Sequence, residues 1–465
     1  MRVPGWAIRA LVGLWVSVLA GAGVALGALD RSEAGSNVPF GIALTTGEIK
    51  RTPSNEKRIA QYESERAAAV RKLLDDRADA ILHRKKDLFL AGIDATNAAF
   101  LKRQRRLFGA LAEVPLSSWR YEIDHKHAYR PSNIKWEHYA GDVYLPSLTL
   151  KYAIRGFDVA PVARPIVYTI VQRGGQWLLA EDKDLESGDF VIGATAVHDP
   201  WDVSDITVVA GERSLVLGEP KDRKRLVEIA SMTDAAIEDV SRVLPTGWSR
   251  KAVVYAPRDE KLLEYLLNTQ EFDIAAVAIR QFPEVYGQFS SVDDDDVRTV
   301  GSRVIIHPDI GDEPMEYVSL VLRHEITHVA TFPFMKWGTP QWVVEGFAEY
   351  VAYRGFLPSR GMLPEIAQLA RTNALVPLPP FDLDFTRGAE KAVHDRAYTM
   401  SWLACAYVSS EFGEARLLAL VRELSKLDDP TKGLSSFDPS LRKAVGITEK
   451  QFTRGWHSFL RQRLG

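Results

Sequence analysis

The sequence predicts an α+β protein with two domains behind an N-terminal export segment. Three observations support this: a long apolar stretch near the N-terminus, helical hydrophobic spacing that gives way to alternation after residue 117, and a return to mainly helical spacing beyond residue 312. Helices followed by an antiparallel sheet are typical of the α+β class. The second domain is expected to end in a mostly helical part.

Length and composition allow two folded domains and exclude some classes of partner and metal site. The chain has 465 residues, 46% of them hydrophobic, which is enough for more than one buried core. The formal net charge of -3 provides no basic surface, so no nucleic-acid partner is expected. The single cysteine, Cys405, excludes an intrachain disulfide and a zinc finger with only cysteine ligands.

The N-terminus has the pattern of an export signal. Arg2 and Arg9 precede an uncharged stretch at residues 10–29. Twenty apolar or small residues fit a long signal peptide and a single membrane anchor equally well, so both interpretations stay open. Residues 1–29 are predicted to direct the chain outside the cytoplasmic membrane, secreted or anchored by its N-terminus. Residues 30–55, which are polar and aperiodic, are predicted to be a linker.

Residues 56–187 are predicted to form the first domain. Helical spacing covers residues 56–83, 87–93 and 97–111. Alternation covers residues 119–123, 143–154, 165–172 and 176–181. Gly174 and Gly175 between the last two segments predict a hairpin. This order of elements resembles the nuclear transport factor 2-like fold, which implies a cone of helices packed into the hollow of a curved sheet. That fold hosts enzymes and binding modules, so it implies no activity.

Residues 189–465 are predicted to form the second domain. An amphipathic helix is expected at residues 223–244. Short strands are expected at residues 251–256, 275–280 and 302–307, and three C-terminal helices at residues 397–412, 414–427 and 448–464. Asp312 is expected to cap a further helix that has Pro314 in its first turn. Thr448 and Gln451 have the spacing of a capping box.

A metal-binding pattern lies on the helix that follows Asp312. His324 and His328 are four residues apart and so project from one helix face, with Glu325 between them. In this H-E-x-x-H pattern both imidazoles can reach one zinc ion, while the glutamate stands beside the open position of the metal. The pattern predicts a catalytic metal site, although a short motif of this kind also occurs by chance.

A zinc site needs a third protein ligand, and the next helix offers one. Thr339 and Pro340 have the character of a cap and a first-turn proline, and the sequence Q-W-V-V-E-G-F-A-E-Y follows. Glu345 and Glu349 are four residues apart in it, so both carboxylates lie on one face of the helix.

These two helices resemble the gluzincin zinc metallopeptidases, specifically the peptidase MA-like group, in which H-E-x-x-H precedes an E-G-x-A-x-Y helix. The resemblance implies that one zinc ion per chain is bound by His324, His328 and Glu345. It also implies that Glu325 is the general base of peptide hydrolysis. Glu349 would accept a hydrogen bond from a ligating histidine, which fixes the tautomer of that imidazole.

The resemblance covers about residues 189–465, with one departure. Gluzincin aminopeptidases carry a Gly-x-Met-Glu-Asn motif that binds the free amine of the substrate, and residues 302–308 lack it. An endopeptidase acting on a peptide or protein is therefore expected rather than an aminopeptidase. The strand at residues 303–306 is expected to be the sheet edge that pairs with an extended peptide.

A zinc peptidase also needs a hydrogen-bond donor for the tetrahedral intermediate. His394 and Tyr398 lie four residues apart and share a helix face if their helix begins early enough. Gluzincin aminopeptidases place a tyrosine about this far beyond the third ligand, so the resemblance favours Tyr398, with His394 as the alternative donor. The competing interpretation is that Tyr398 is a core aromatic and His394 a solvated loop residue.

Two functions are compatible with these patterns. The first is a secreted or membrane-tethered zinc metallopeptidase with an N-terminal accessory domain. The second is a catalytically inactive cell-surface binding protein that retains a zinc-binding fold. The sequence favours the peptidase because Glu325 is present and is not needed as a zinc ligand.

Overall fold

The computed structural model describes residues 53–128, 141–182, 198–267, 274–284, 298–336, 338–356, 363–372, 382–385, 391–427 and 433–464. The chain is a mixed α+β protein with several small sheets. The predicted export signal at residues 1–29 and nearly all of the predicted linker at residues 30–55 lie outside the described residues. No helix in the described part of the chain is long and apolar enough to cross a membrane.

The described chain divides into two compact units. The first holds the residues up to Thr207 and also a short stretch that begins at Gln281. The second holds Val208–Arg280 and the chain from Val292 onward. The chain thus enters the second unit, returns to the first for a few residues, and then completes the second.

The first unit combines helices with two small antiparallel sheets. Its helices in the described residues are α1 (Pro53–Leu82), α2 (Lys86–Ala91) and α3 (Ala98–Glu113). Its strands there are β1 (Leu116–Ala128), β2 (Val143–Tyr144), β3 (Pro146–Ile154), β4 (Val162–Val167), β5 (Thr169–Arg173) and β6 (Gln176–Glu181). The three-stranded sheets have the orders β1-β3-β4 and β2-β5-β6, with antiparallel neighbours in both.

Two predicted strands of this unit are wrong. Residues 143–154 and 165–172 were each expected to form a single strand, but the chain changes sheets after Tyr144 and again after Val167. The residues on both sides of each change are mostly apolar, so the hydrophobic pattern carries no sign of it. The predicted hairpin is confirmed: Gly174 and Gly175 connect β5 to β6 with φ values of 56° and 82°, a left-handed conformation that glycine adopts at little cost.

The second unit contains one five-stranded sheet and most of the helices. Its strands are β7 (Thr207–Ala210), β8 (Ser214–Gly218), β9 (Ala252–Tyr255), β10 (Ala276–Gln281) and β11 (Gly301–Ile306). Its helices in the described residues are α4 (Arg223–Val243), α5 (Glu260–Leu267), α6 (Met315–Thr331), α7 (Gln341–Ala352), α8 (Pro364–Thr372), α9 (Lys391–Phe412), α10 (Glu414–Leu424), α11 (Gly433–Ala444) and α12 (Glu449–Leu464).

The strand order corrects the predicted sheet edge. The order is β10-β11-β9-β8-β7, so β11 is an interior strand and β10 lies at the edge. Strand β9 is parallel to β8 and to β11. The residues at the end of β11, Val304 to Ile306, are completely buried, which fits an interior parallel strand. Alternation alone could not distinguish β10 from β11, because both are short and apolar.

The helix starts also differ in detail from the expected caps. Asp312 ends a short 3₁₀ turn, and Pro314 rather than Asp312 is the cap residue of α6. Pro340 likewise precedes the first residue of α7, while the Thr339 hydroxyl donates to the Lys336 carbonyl at 2.8 Å. These shifts of one or two residues leave both motifs inside their predicted helices.

The predicted capping box before α12 is confirmed. The Thr448 amide donates to Gln451 Oε1 at 2.8 Å, and the Gln451 amide donates to Thr448 Oγ1 at 3.1 Å. The two bonds satisfy amide groups that have no partner within the first turn of the helix.

Candidate metal centre

Helix α6 carries two histidines that aim the same ring nitrogen at one point. His324 and His328 are 0% and 1% exposed, and their Nε2 atoms are 2.9 Å apart. The ring planes meet at 68° with centroids 4.7 Å apart. This follows from the spacing of four residues, which places the side chains one above the other on the helix surface.

Helix α7 brings a carboxylate to the same point. Glu345 Oε2 lies 3.3 Å from His324 Nε2 and 3.5 Å from His328 Nε2. With the 2.9 Å between the two nitrogens, the three atoms form a nearly equilateral triangle. Donor atoms held 2.0–2.1 Å from a tetrahedral zinc ion are about 3.3 Å apart. The triangle therefore has the size that zinc requires.

The charges at this point favour a cation. Burial alone would lower the pKa of His324, but the Glu345 and Glu349 carboxylates outweigh burial and raise it to about 10. Burial opposes ionisation of Glu345 as well, yet the two histidines lower its pKa to about 2. The pKa of His328 is lowered, mainly by burial. One positive charge is thus stabilised between these groups, and a bound metal ion would supply that charge once the histidines are deprotonated.

Glu349 lies one helical turn beyond Glu345 and contacts the other side of an imidazole. Its Oε1 atom is 3.4 Å from His324 Nδ1, and the residue is 5% exposed. Burial is the main cause of its raised pKa, with His324 opposing the shift. Nδ1 has no hydrogen bond of normal geometry in the described structure, so Glu349 acts on it through its negative charge. That charge favours the proton on Nδ1 and would leave Nε2 free to bind a metal.

Glu325 lies beside the triangle without belonging to it. The residue is 0% exposed, and neither carboxylate oxygen has a hydrogen-bond partner in the described structure. Burial raises the pKa of Glu325 to about 8; the nearby Glu345 adds to the rise, whereas His324 and the Ala278 backbone oppose it. A buried carboxyl group that titrates near neutral pH is suited to accept and return a proton.

Helix α9 places the phenol of Tyr398 beside the three candidate ligands. It begins at Lys391, early enough for His394 and Tyr398 to share a face, and their rings stack with centroids 4.7 Å apart. Both side chains are buried, so His394 is not the solvated loop residue of the competing interpretation. The Tyr398 hydroxyl hydrogen-bonds to Glu345, and burial raises its pKa well above the ordinary value. The phenol is thus protonated and in contact with a residue of the triangle.

Close packing between α7 and α9 holds Tyr398 there. A Cβ atom added to Gly346 would lie 2.6 Å from the Ser401 carbonyl oxygen, so only glycine allows the two helices to approach this closely. Tyr350 on α7 donates to Glu414 Oε1 at 2.8 Å, and Arg354 contacts the same carboxylate at 2.8 Å. These contacts join the α7 motif helix to the start of α10.

Sequence reasoning missed two features of the site. The edge strand β10 approaches Glu325 through the backbone of Ala278, and Arg280 follows on the same strand. The charge of Arg280 contributes to the lowered pKa of His328, and its guanidinium carbon lies 4.8 Å above the Phe332 ring. No motif marks either residue; a correct strand order would have placed them.

A second group of possible metal ligands lies in the same unit. Glu260, His307 and Asp309 offer ligand atoms within 4.8 Å of one another. Glu260 and Asp309 are exposed and His307 is partly exposed, unlike the three fully buried residues of the triangle. Water can solvate these carboxylates, so nothing in their environment requires a cation.

The structure brings together the six residues that the sequence assigned to the site. They are His324, Glu325, His328, Glu345, Glu349 and Tyr398, and the alternative donor His394 packs on Tyr398. They come from helices α6, α7 and α9. Neither a scan against protein-family models nor a search of curated proteins finds a match for this chain.

Proposed function

We propose that this chain is a zinc-dependent peptidase related to the gluzincins, with one zinc ion bound by His324, His328 and Glu345. The observation that supports this most strongly is the triangle of donor atoms, with edges of 2.9, 3.3 and 3.5 Å, at a point where buried charges favour a cation. Two neutral imidazoles and one carboxylate leave one coordination position for water, as in catalytic rather than structural zinc sites.

The proposed reaction is hydrolysis of an internal peptide bond. When bound, zinc supplies an acidified water molecule and polarises the scissile carbonyl group. Glu325 would take a proton from the attacking water and deliver it to the leaving amine. Burial raises its pKa to about 8 in the protein without metal, and the charge of a bound ion would lower it from there. Tyr398 donates a hydrogen bond to the carbonyl oxygen of the substrate, which becomes negatively charged in the tetrahedral intermediate. His394 is the alternative donor.

Strand β10 provides a binding edge for an extended peptide. It is the terminal strand of its sheet, and its Ala278 backbone adjoins Glu325. Main-chain hydrogen bonds to such an edge hold a substrate regardless of its side chains. The substrate of an endopeptidase extends on both sides of the cleaved bond, so an edge strand of this kind can hold it along its length.

The proposal extends to the architecture and the location of the protein. The second unit would have a zincin-type fold, and the first, with helices and two antiparallel sheets, would be an accessory domain with the nuclear transport factor 2-like cone. The apolar segment at residues 1–29 supports an extracytoplasmic protein, secreted or anchored to the membrane.

The alternative is an inactive zinc-binding surface protein, and Glu325 argues against it. Its buried carboxylate has no hydrogen bond of normal geometry in the described structure, and the approach of the Ala278 backbone offsets only part of the effect of burial, so little stabilises it there. Burial without a structural partner is expected of a group that acts on a substrate.

The test is a cleavage assay with a mixed peptide library on the zinc-loaded full chain, wild type beside Glu325→Ala, with zinc measured by elemental analysis. The peptidase proposal predicts that Glu325→Ala retains zinc and loses cleavage by at least about 10²-fold. The variant Glu316→Ala, which removes an exposed carboxylate from the start of the same helix, serves as the matched control. Zinc binding without cleavage by the wild type would favour the inactive protein, and equal cleavage by wild type and Glu325→Ala would overturn the mechanism.

A further inference from the structure

One basic residue lies on the strand that is proposed to bind the substrate. Arg280 is the only charged residue of β10, and its side chain is partly exposed, whereas the residues before it on the strand are buried. Strand β10 is the edge of its sheet among the described strands. An edge strand binds the main chain of a peptide, so a preference for particular residues must come from side chains along that edge.

Helix α6 holds the guanidinium of Arg280 in a defined place. The guanidinium carbon lies 4.8 Å above the ring of Phe332, and both residues belong to the second unit. Phe332 is 5% exposed and follows His328 by one helical turn, with its amide donating to the His328 carbonyl at 2.9 Å. The face of an aromatic ring attracts a cation. The charge is thus held one turn beyond a candidate zinc ligand.

The order of contacts along α6 relates Arg280 to the reacting groups. The backbone of Ala278 adjoins Glu325, and Arg280 adjoins Phe332, so the two contacts follow each other in the same order on β10 and on α6. Two residues of a strand span about 6.6 Å, and side chains two residues apart point to the same face. The charge of Arg280 acts over this range, because it contributes to the lowered pKa of His328.

A peptide paired with β10 would advance by the same distance for each residue. In the proposed reaction the cleaved bond lies beside Glu325, and therefore near Ala278. A substrate side chain about two residues from that bond would lie opposite Arg280, where opposite charges on paired strands attract. A guanidinium has five N–H donors, so it can receive a carboxylate beside the contacts that it already makes within the protein.

We propose that Arg280 is a specificity-determining residue that binds the carboxylate of an aspartate or glutamate side chain about two residues from the cleaved bond. This inference rests on the proposed peptidase function and names its substrate class, which is peptides with an acidic residue near the cleaved bond. Glutamine has the shape of glutamate without its charge, and lysine has the opposite charge, so both should be poorer there. An arginine that only packs on Phe332 would produce no such preference.

The test is cleavage of peptide libraries by the zinc-loaded full chain. Each library has Glu, Gln or Lys at one fixed position and random residues other than Asp and Glu elsewhere. Acetyl and amide groups cap the two ends, so the fixed side chain is the only carboxylate, and sequencing of the products locates it relative to the cleaved bond. Arg280→Gln removes the charge and Arg280→Glu reverses it. Arg242→Gln, which removes an exposed guanidinium from α4, is the matched control.

The proposal predicts a kcat/KM at least about tenfold higher for Glu than for Gln at one position, in the wild type and in Arg242→Gln. Arg280→Gln should lose this preference. Arg280→Glu should favour Lys over Glu at the same position, which a residue with only a packing role would not produce. If these variants do not fold, Arg280→Lys decides the outcome, because it keeps the charge without the planar fork and should retain only part of the preference.

Three results would overturn the inference and leave the peptidase function standing. They are cleavage by the wild type without a preference for Glu, a preference that survives Arg280→Gln or is undiminished in Arg280→Lys, and an equal loss for Glu and Gln peptides in Arg280→Gln. A wild-type chain that cleaves none of the libraries would contradict the peptidase function itself, and this inference with it.

Discussion

The Nδ1 atom of His324 faces the Oε1 atom of Glu349 at 3.4 Å, while the Nε2 atom of the same ring faces Glu345 at 3.3 Å. The two carboxylates belong to successive turns of α7 and so contact opposite sides of one imidazole. A ring held in this way has one tautomer available for metal binding, with the proton on Nδ1.

Glu349→Gln should weaken zinc binding about 10–100-fold, because the neutral amide is a poorer acceptor for the His324 Nδ1 proton. The measurement is competition with a chelator of known zinc affinity. Glu316→Gln makes the same chemical change at an exposed position on α6 and should leave the affinity unchanged. Equal zinc affinity in Glu349→Gln and wild type would show that Glu349 does not support the ligand.

Zinc binding should release between one and two protons per chain near pH 8, one from His324 and part of one from Glu325, whose pKa of about 8 the charge of the ion would lower. The raised pKa of His324, about 10, keeps this ring protonated in the metal-free protein. An imidazole must lose that proton before it can bind zinc. Glu345, with a pKa of about 2, and His328, with a lowered pKa, have already lost their protons and release none. Zinc affinity should therefore increase as the pH rises toward about 10. Calorimetry in buffers of different ionisation enthalpy measures the number of protons, and a value of zero would contradict the charge assignment.

Tyr398→Phe should lower turnover about 10²–10³-fold with little change in KM, zinc content or thermal stability. The phenol bonds to Glu345 in the free protein, but Glu345 keeps both histidine contacts without it, so the expected loss is the stabilisation of charge in the transition state. Tyr350→Phe is the matched control, because its hydroxyl bonds to Glu414 and Ser409, away from the ligands. That variant should lose stability and keep turnover. If Tyr398→Phe had normal turnover, the donor role would pass to His394.

Gly346→Ala should destabilise the second unit by about 1–3 kcal/mol, because the new methyl group would meet the Ser401 backbone at 2.6 Å. The shift of α9 should also reduce turnover by moving Tyr398. Gly109→Ala is the control: it lies within helix α3 with nothing within 4 Å of the new Cβ atom, and the alanine should be neutral or stabilising there. Equal melting temperatures for both variants would show that the α7–α9 contact is not tight.

The grouping of the candidate ligands was predictable because the spacing that produces it is local. His324 and His328 share a face by helical spacing, and Glu345 and Glu349 do so on the next helix, whatever the rest of the fold. The edge strand was not predictable, because strand order depends on pairings between distant segments and β11 inserts between β9 and β10.

The central claim is that His324, His328 and Glu345 bind one zinc ion, and metal analysis combined with zinc X-ray absorption tests it most directly. The account predicts one zinc per wild-type chain, with nitrogen and oxygen ligands at about 2.0–2.1 Å, and loss of that zinc in the His324→Ala, His328→Ala double variant. A wild-type chain that retains no zinc after loading would contradict the claim. One zinc per chain in the double variant would contradict it too, and would direct attention to Glu260, His307 and Asp309.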